Sequence, residues 1–289
     1  MVSRRTFLGL AATAPLTAPL PDQAAPPPDT LAAIPVRRAG KVEIAFKSPG
    51  PRPNGLQATR EGLWIIDQAP GSRAYLVRYS DGSVIRSFET DTVRPSGITF
   101  DGEALWIGST FSYENVRCDA TTGAVLDRRP TPGCTTYRMA GDPPARRSPL
   151  APPPPSAPPQ PAAPPSPARL TQSPHLRFQG AHGQEWRDGR LWTTSTSART
   201  IYEVDPSSWT VLRRLPTPGP RPHGLAWEGR HLWHNDGDLH AFFKYDVDTG
   251  RIVEQIRLAD ADPLSHGLTI RDGTLWYCDD VGVVCRMTI

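Results

Sequence analysis

The stretch Pro222-His223-Gly224-Leu225-Ala226-Trp227-Glu228-Gly229-Arg230-His231-Leu232-Trp233-His234-Asn235-Asp236 decides the fold. It opens on a polar residue followed by Gly, and ten residues after that polar residue it places a Trp preceded by Leu. The same phrase recurs at Asn54/Trp64, Ser96/Trp106, His182/Trp192 and His266/Trp276. Successive tryptophans are 42, 86, 41 and 43 residues apart, and 86 is two periods of 43, so one mark is missing from a single ruler. Self-similarity at about 40 to 45 residues belongs to repeat architectures, and short strands at that period belong to a β-propeller.

Outward from this phrase the unit reads as four strands, His223–Trp227, His231–Asn235, Phe242–Tyr245 and Arg251–Leu258. Between the third and fourth stands Asp246-Val-Asp-Thr-Gly250, repeated as Asp119-Ala-Thr-Thr-Gly123, with a further Asp at 205. In such a turn Asp bonds back to the main chain and Gly supplies positive φ. The Leu-Trp pairs read as apolar pegs that pack one blade on the next. The last unit has room for only a third strand, and Val42–Phe46 is the donor of its fourth, which closes the ring and hides two open edges. The missing mark falls at Ala140-Gly141, followed by Pro/Ala/Arg-rich text from Pro143 to Pro167 that cannot form a ladder. The expectation is an all-β propeller of four-stranded blades, a six-unit ring with one degraded unit. The alternative is five blades carrying a disordered insertion at 143–170.

The 289 residues carry a net charge of +3 with few lysines and no clustering of basic residues, which excludes a nucleic-acid footprint. Ser3-Arg4-Arg5-Thr6-Phe7-Leu8 and the mildly apolar run to Leu20 resemble a twin-arginine export signal over residues 1–25. That run is too short and too interrupted by Pro15 and Pro19 to remain as a membrane span. A Pro-rich linker over 26–40 and a single propeller domain over 41–289 follow, exported to the periplasm or beyond and monomeric. Of the four cysteines, Cys278 and Cys285 flank a hairpin, and a disulfide between them is one expectation.

In a propeller the first strand of each blade lines the axis, so Asn54, Ser96, His182, His223 and His266 converge at one opening. Three histidines in register suit a divalent metal (Mg, Ca or Zn), with Asp236 and Asp279, three residues after their tryptophans, as acidic partners. Glu185, three residues after His182, adds a carboxylate on a first strand. The metal set is thus His182, His223, His266, Asp236 and Asp279, and the catalytic set His266, His223 and Glu185. A His-Gly at a strand start also has a plain structural use, bonding the neighbouring blade. His231, His234 and His240 lie off the ruler and read as surface or loop residues.

Pro53-Asn54-Gly55-Leu56, Pro222-His223-Gly224-Leu225 and Ser265-His266-Gly267-Leu268, each followed by Leu-Trp and then Asp, resemble the repeats of streptogramin B lyase-like, NHL and SMP-30-type propellers. That resemblance implies a metal held by acidic residues at the channel mouth, with Asp279 or Asp280 in the acidic place. It also implies His266, with His223 one blade earlier, as acid/base in opening a cyclic ester. Gly183-Gln-Glu185-Trp186-Arg-Asp-Gly-Arg-Leu-Trp192 is similar to a blade of propeller-type glutaminyl cyclotransferases, which implies Glu185 in the proton transfer of pyroglutamate formation. The leading expectation is an exported, metal-dependent lyase or hydrolase of a small molecule. The alternatives are a non-catalytic ligand- or protein-binding propeller and a glutaminyl cyclotransferase-like enzyme.

Overall fold

The computed structural model describes residues 31–134, 180–279 and 281–289. After a lone strand β1 (Glu43–Lys47), blade 1 is β2 (Pro53–Ala58), β3 (Leu63–Asp67), β4 (Arg73–Val77) and β5 (Val84–Glu89). Blade 2 is β6 (Pro95–Phe100), β7 (Ala104–Ser109), β8 (Glu114–Asp119) and β9 (Val125–Pro130). Blade 3 is β10 (Ala181–Arg187), β11 (Arg190–Ser195), β12 (Thr200–Asp205) and β13 (Thr210–Pro216). Blade 4 is β14 (Pro222–Glu228), β15 (His231–Asp236), β16 (Ala241–Asp246) and β17 (Arg251–Arg257), and blade 5 is β18 (Leu268–Arg271), β19 (Thr274–Cys278) and β20 (Val283–Thr288). Each sheet is an antiparallel meander, and β1 pairs with β20 to complete blade 5, as the sequence pattern requires.

Each blade lies between two others, so its second strand is buried on both faces and reads as a continuous apolar run such as Leu63-Trp64-Ile65-Ile66. The seams are filled by these residues. Trp233 and Phe242 of blade 4 meet Leu275, Tyr277 and Met287 of blade 5, and Phe46 and Trp276 of blade 5 meet Leu56 and Leu63 of blade 1. The hairpins Asp188-Gly189 (φ 51° and 74°) and Asp272-Gly273 (φ 49° and 73°) have positive φ at both central residues, the twist a two-residue turn needs. Asp119 Oδ1 accepts the main-chain N–H of Thr121 and Thr122, and Asp246 Oδ1 those of Asp248 and Thr249, which makes both aspartates turn formers.

The recurring polar-Gly dipeptide is a break in the inner strand. Ladder register shifts at Pro53/Gly55, Pro95/Gly97, Ala181/Gln184 and Pro222/Leu225. There the main chain comes up against the next blade. A Cβ on Gly97 or Gly183 would overlap the carbonyl oxygen of His182 or His223, and one on Gly267 would sit 2.6 Å from Gly55 Cα. Gly224 N–H donates to His266 O at 3.0 Å, a main-chain bond between blades 4 and 5.

The ring closes with five blades, the alternative form of the expectation, and the six-unit reading is corrected. Blade 2 packs directly on blade 3: Gln184 Nε2 donates to Asn115 Oδ1 at 2.8 Å and Thr110 Oγ1 to Ala181 O at 3.0 Å. That contact leaves no gap for a sixth blade between them. Ala140-Gly141 and the 143–170 block lie outside the described residues, as does the 1–25 leader. The expected disulfide is also corrected. Cys278 pairs with Val284 and Cys285 with Tyr277, so adjacent positions on one strand send the two thiols to opposite faces, and neither is in a disulfide. Part of the 26–40 linker is structured: Ile34 is buried, Val36 bridges Gln255, and Arg37 pairs with Glu228 at 2.7 Å and Glu254 at 3.0 Å. No helix among the described residues is long and apolar enough to cross a membrane.

Because the obstacle at Gly97 and Gly183 is main chain, which cannot swing aside, Gly97→Ala and Gly183→Ala should each cost about 1–3 kcal/mol or more in urea unfolding. Gly229→Asn, at φ 55° with open space around it, should unfold within about 0.5 kcal/mol of the parent.

Candidate functional site

Two layers of side chains line the axis: in blades 1–4 the break in the inner strand turns one residue inward, in blade 5 His266 stands just ahead of β18, and the next inward position follows three residues later. The first layer is Asn54, Ser96, His182, His223 and His266, all buried. The second is Gln57, Thr99, Glu185, Ala226 and Thr269, with only Gln57 half-buried.

The three histidines form an arc of edge-to-face rings, with centroids 4.8 Å apart for His182/His223 and 4.6 Å for His223/His266. His182 Nδ1 lies 3.0 Å from Gly180 O and His223 Nδ1 2.9 Å from Arg221 O. A carbonyl only accepts, so in both rings Nδ1 carries the proton and Nε2 keeps its lone pair. Burial pushes the His182 imidazole down to about 4, helped by the nearby Arg221 charge. His223 is held well below its ordinary value by burial first, then by the neighbouring His266, His182 and Arg221. Arg221 Nη2 sits 3.2 Å from His266 Nε2 and donates to it, while Arg221 Nη1 is 3.7 Å from Asp238 Oδ1. On the other side of the ring Ser96 Oγ bonds Asn54 Oδ1.

Below the histidines, Glu185 is the one carboxylate in the second layer. Burial drives its carboxyl up to about 8, only partly opposed by hydrogen bonds from Trp186 N–H and from Thr99 and Gln57. Thr99 Oγ1 in turn donates to Gln57 Oε1 at 2.6 Å, so Glu185 sits on a polar floor shared by blades 1, 2 and 3. A carboxyl near 8 exchanges its proton readily at neutral pH.

The structure brings His182, His223 and His266 together but not Asp236 or Asp279. Asp236 takes main-chain N–H groups from Arg221 (2.9 Å), Asp238 (3.0 Å) and Leu239 (3.1 Å). Asp279 Oδ1 takes those of Val281 and Val283, both at 3.1 Å. Both carboxylates organise loops at the mouth, as Asp67 does for Arg52 and Ala69. Among the described residues no three His, Cys, Asp or Glu side chains are arranged to hold a metal ion. The Arg221 guanidinium already places a fixed cation against His266, so the donor set does not fit the expected divalent ion, and no step is derived through one. Asp280 lies outside the described residues.

His234 is not at the surface: it is fully buried beside the rings of Phe243 and Tyr245, and burial lowers its imidazole to about 3. Sequence reasoning missed Arg221, although Arg-Pro-polar-Gly recurs at Arg52, Arg94 and Arg221 and was there to be read. It also missed Gln57 and Thr99, which stand in blades 1 and 2 where Glu185 stands in blade 3.

No family model matches the chain, and no curated protein matches it. Solved structures do. A glutaminyl cyclase from Myxococcus xanthus superposes with a TM-score of 0.55 at 11% identity, covering 88% of this chain and 98% of that one. A catalytically inactive virginiamycin B lyase from Staphylococcus aureus with quinupristin matches at TM-score 0.47 and 17% identity, over 82% of this chain and 66% of that one. A streptogramin B lyase matches at 0.46 and 16%, over 82% and 64%. The chain thus spans about two thirds of the lyase chains it matches. At these identities the likeness is one of fold. The chain is a five-bladed β-propeller.

Folding favours the protonated form of Glu185. Near pH 4 the carboxyl is protonated in folded and unfolded chains alike. From its ordinary value of 4.5 up to about 8, only the unfolded chain releases the proton, and stability falls by up to about 1.4 kcal/mol per pH unit. Glu185→Gln should therefore match the parent near pH 4 in thermal melts and exceed it by a margin that widens up to about pH 8.

Proposed function

We propose that this propeller is an acid–base enzyme acting on a small molecule at its axis, with Glu185 as the proton carrier, and that its reaction is the cyclisation of an N-terminal glutaminyl residue. The observation that carries this reading is a lone carboxyl buried in the axial channel and raised to about 8. In that reaction the α-amine attacks the γ-carboxamide carbon, the bond to the amide nitrogen breaks, and a lactam and ammonia leave. One proton moves from the attacking amine to the Glu185 carboxylate, and the carboxylic acid returns one to the departing nitrogen. A carboxyl near 8 populates both forms at neutral pH. The neutral Nε2 lone pairs of His182 and His223 suit the N–H groups of an amide or amine. The likeness in fold to a glutaminyl cyclase, over 88% of this chain and 98% of that one, supports the same reading.

Ring opening with His266 as base is disfavoured by one contact. Arg221 donates to His266 Nε2 and occupies the lone pair a base would use. We also propose export by the twin-arginine route, from Ser3–Leu8, and a monomeric state.

Purified protein given a short N-terminal glutaminyl peptide should release ammonia in step with pyroglutamyl product. Glu185→Gln should lower that rate by about 10²-fold or more. No ammonia above a heat-treated control would retire the proposal, and peptide binding without turnover would make the axis a binding site. For export, replacing Arg4 and Arg5 with Lys should leave the precursor in the cytoplasm on fractionation.

A further inference from the structure

Arg221 has no part in the proton transfer, yet the fold holds it with care. Its main-chain N–H is fixed by Asp236, its carbonyl receives His223 Nδ1–H, and its guanidinium donates to His266 Nε2 at the mouth of the channel. The side chain is about one third exposed. Its charge is only partly offset: among the described residues the carboxylate paired with it, Asp238, is 3.7 Å away, and the imidazole at 3.2 Å accepts a hydrogen bond without supplying a negative charge. Arg52 stands in the equivalent position on blade 1, held by Asp67 as Arg221 is held by Asp236, and adds exposed positive charge to the same end of the ring.

Three exposed apolar side chains stand at that end as well, besides those on the outer strands. Leu239 (38% exposed) follows β15, Leu264 (44%) precedes His266, and Val281 (78%) follows β19. All three are on loops that open at the starts of the inner strands. A cation set among exposed apolar side chains is the complement of an anionic group carried beside an apolar one.

The ladder break sets three residues of β10, from Ala181 to Gln184, against two of β11, so the first layer stands about 7 Å above Glu185 at ordinary strand rise. A group bound at Arg221 is therefore too far to be the reacting amide. It lies at the distance of the C-terminus of a very short peptide whose first residue reaches Glu185. One guanidinium with a partial counter-charge suits a singly charged carboxylate better than a phosphate dianion.

We infer that Arg221 is a specificity residue that binds the free C-terminal carboxylate of a di- or tripeptide substrate, with an apolar second residue packed against Leu239, Leu264 and Val281. This rests on the glutaminyl reading for the reaction, but not for the anion site itself. The enzyme is then one that processes short peptides and discriminates against the blocked ends of longer chains.

The test compares glutaminyl-leucine with glutaminyl-leucine amide as substrates, and pyroglutamyl-leucine with its amide as calorimetric ligands that need no turnover. The free acids should be favoured at least tenfold in kcat/KM and in Kd, and the preference should shrink as salt rises. Arg221→Gln should collapse the acid-to-amide ratio towards one, while Arg221→Lys keeps most of it. Turnover with equal use of acid and amide overturns this inference and leaves the reaction standing. No turnover, with Arg221-dependent binding of the free acid, retires the reaction and leaves the anion site standing. Equal binding of both product forms, with no turnover, overturns both. Because the acid-to-amide ratio is read first on the parent chain, a variant that fails to fold does not shield the inference.

Discussion

Main chain against main chain at the axis is the constraint on which the rest of this structure depends. At Gly55, Gly97, Gly183 and Gly267 one blade's inner strand meets the next with no room for a Cβ. In packed interiors side chains usually set the spacing between elements, with some tolerance for repacking. Here the spacing is set by carbonyl oxygens and Cα atoms, which have no rotamers to change. The narrow axis follows, and so does the break in each inner strand that turns Asn54, Ser96, His182 and His223 inward. His266 arrives by a slightly different route, ahead of β18, where its N–H is bonded to Cys278 O at 2.8 Å.

A channel this tight determines protonation before any ligand arrives. Imidazoles packed edge to face at 4.6–4.8 Å and shielded from water lose their charge, and Glu185 gains a proton for the same reason. Desolvation outweighs the hydrogen bonds that favour the charged form of Glu185 and the weaker pull of the Arg187 charge. The site therefore stores a cost in folding that an all-apolar axis would not, a frequent mark of a functional position. Arg221 is the single charge the first layer tolerates, and it does so at the rim, where part of its surface reaches water.

Much of the fold was legible in the chain. The Trp period marks the blades, the Asp-x-x-x-Gly turns punctuate them, and the short last unit pointed to Val42–Phe46 as the strand that completes it. The candidate site was legible only in part. The histidine register and Glu185 were readable because a repeat makes equivalent positions comparable. Asp236 and Asp279 stand at equally regular positions, yet their oxygens are committed to loop N–H groups. A regular position reports where a side chain starts, not which hydrogen bonds it has already accepted.

By itself, then, the sequence determined the repeat unit, its strand order and the residues offered to the axis, because these depend on local period and turn chemistry. Only the tertiary structure decided the number of blades. Blades 2 and 3 are joined through 50 intervening residues, from 131 to 180, and their contact through Gln184 and Asn115 is invisible to any local pattern. It likewise decided that Cys278 and Cys285 face apart, that His234 is buried, and that a guanidinium rather than the acidic residues meets the histidines. Each of these is a matter of distance and desolvation across the ring, quantities that exist only once the ring has closed.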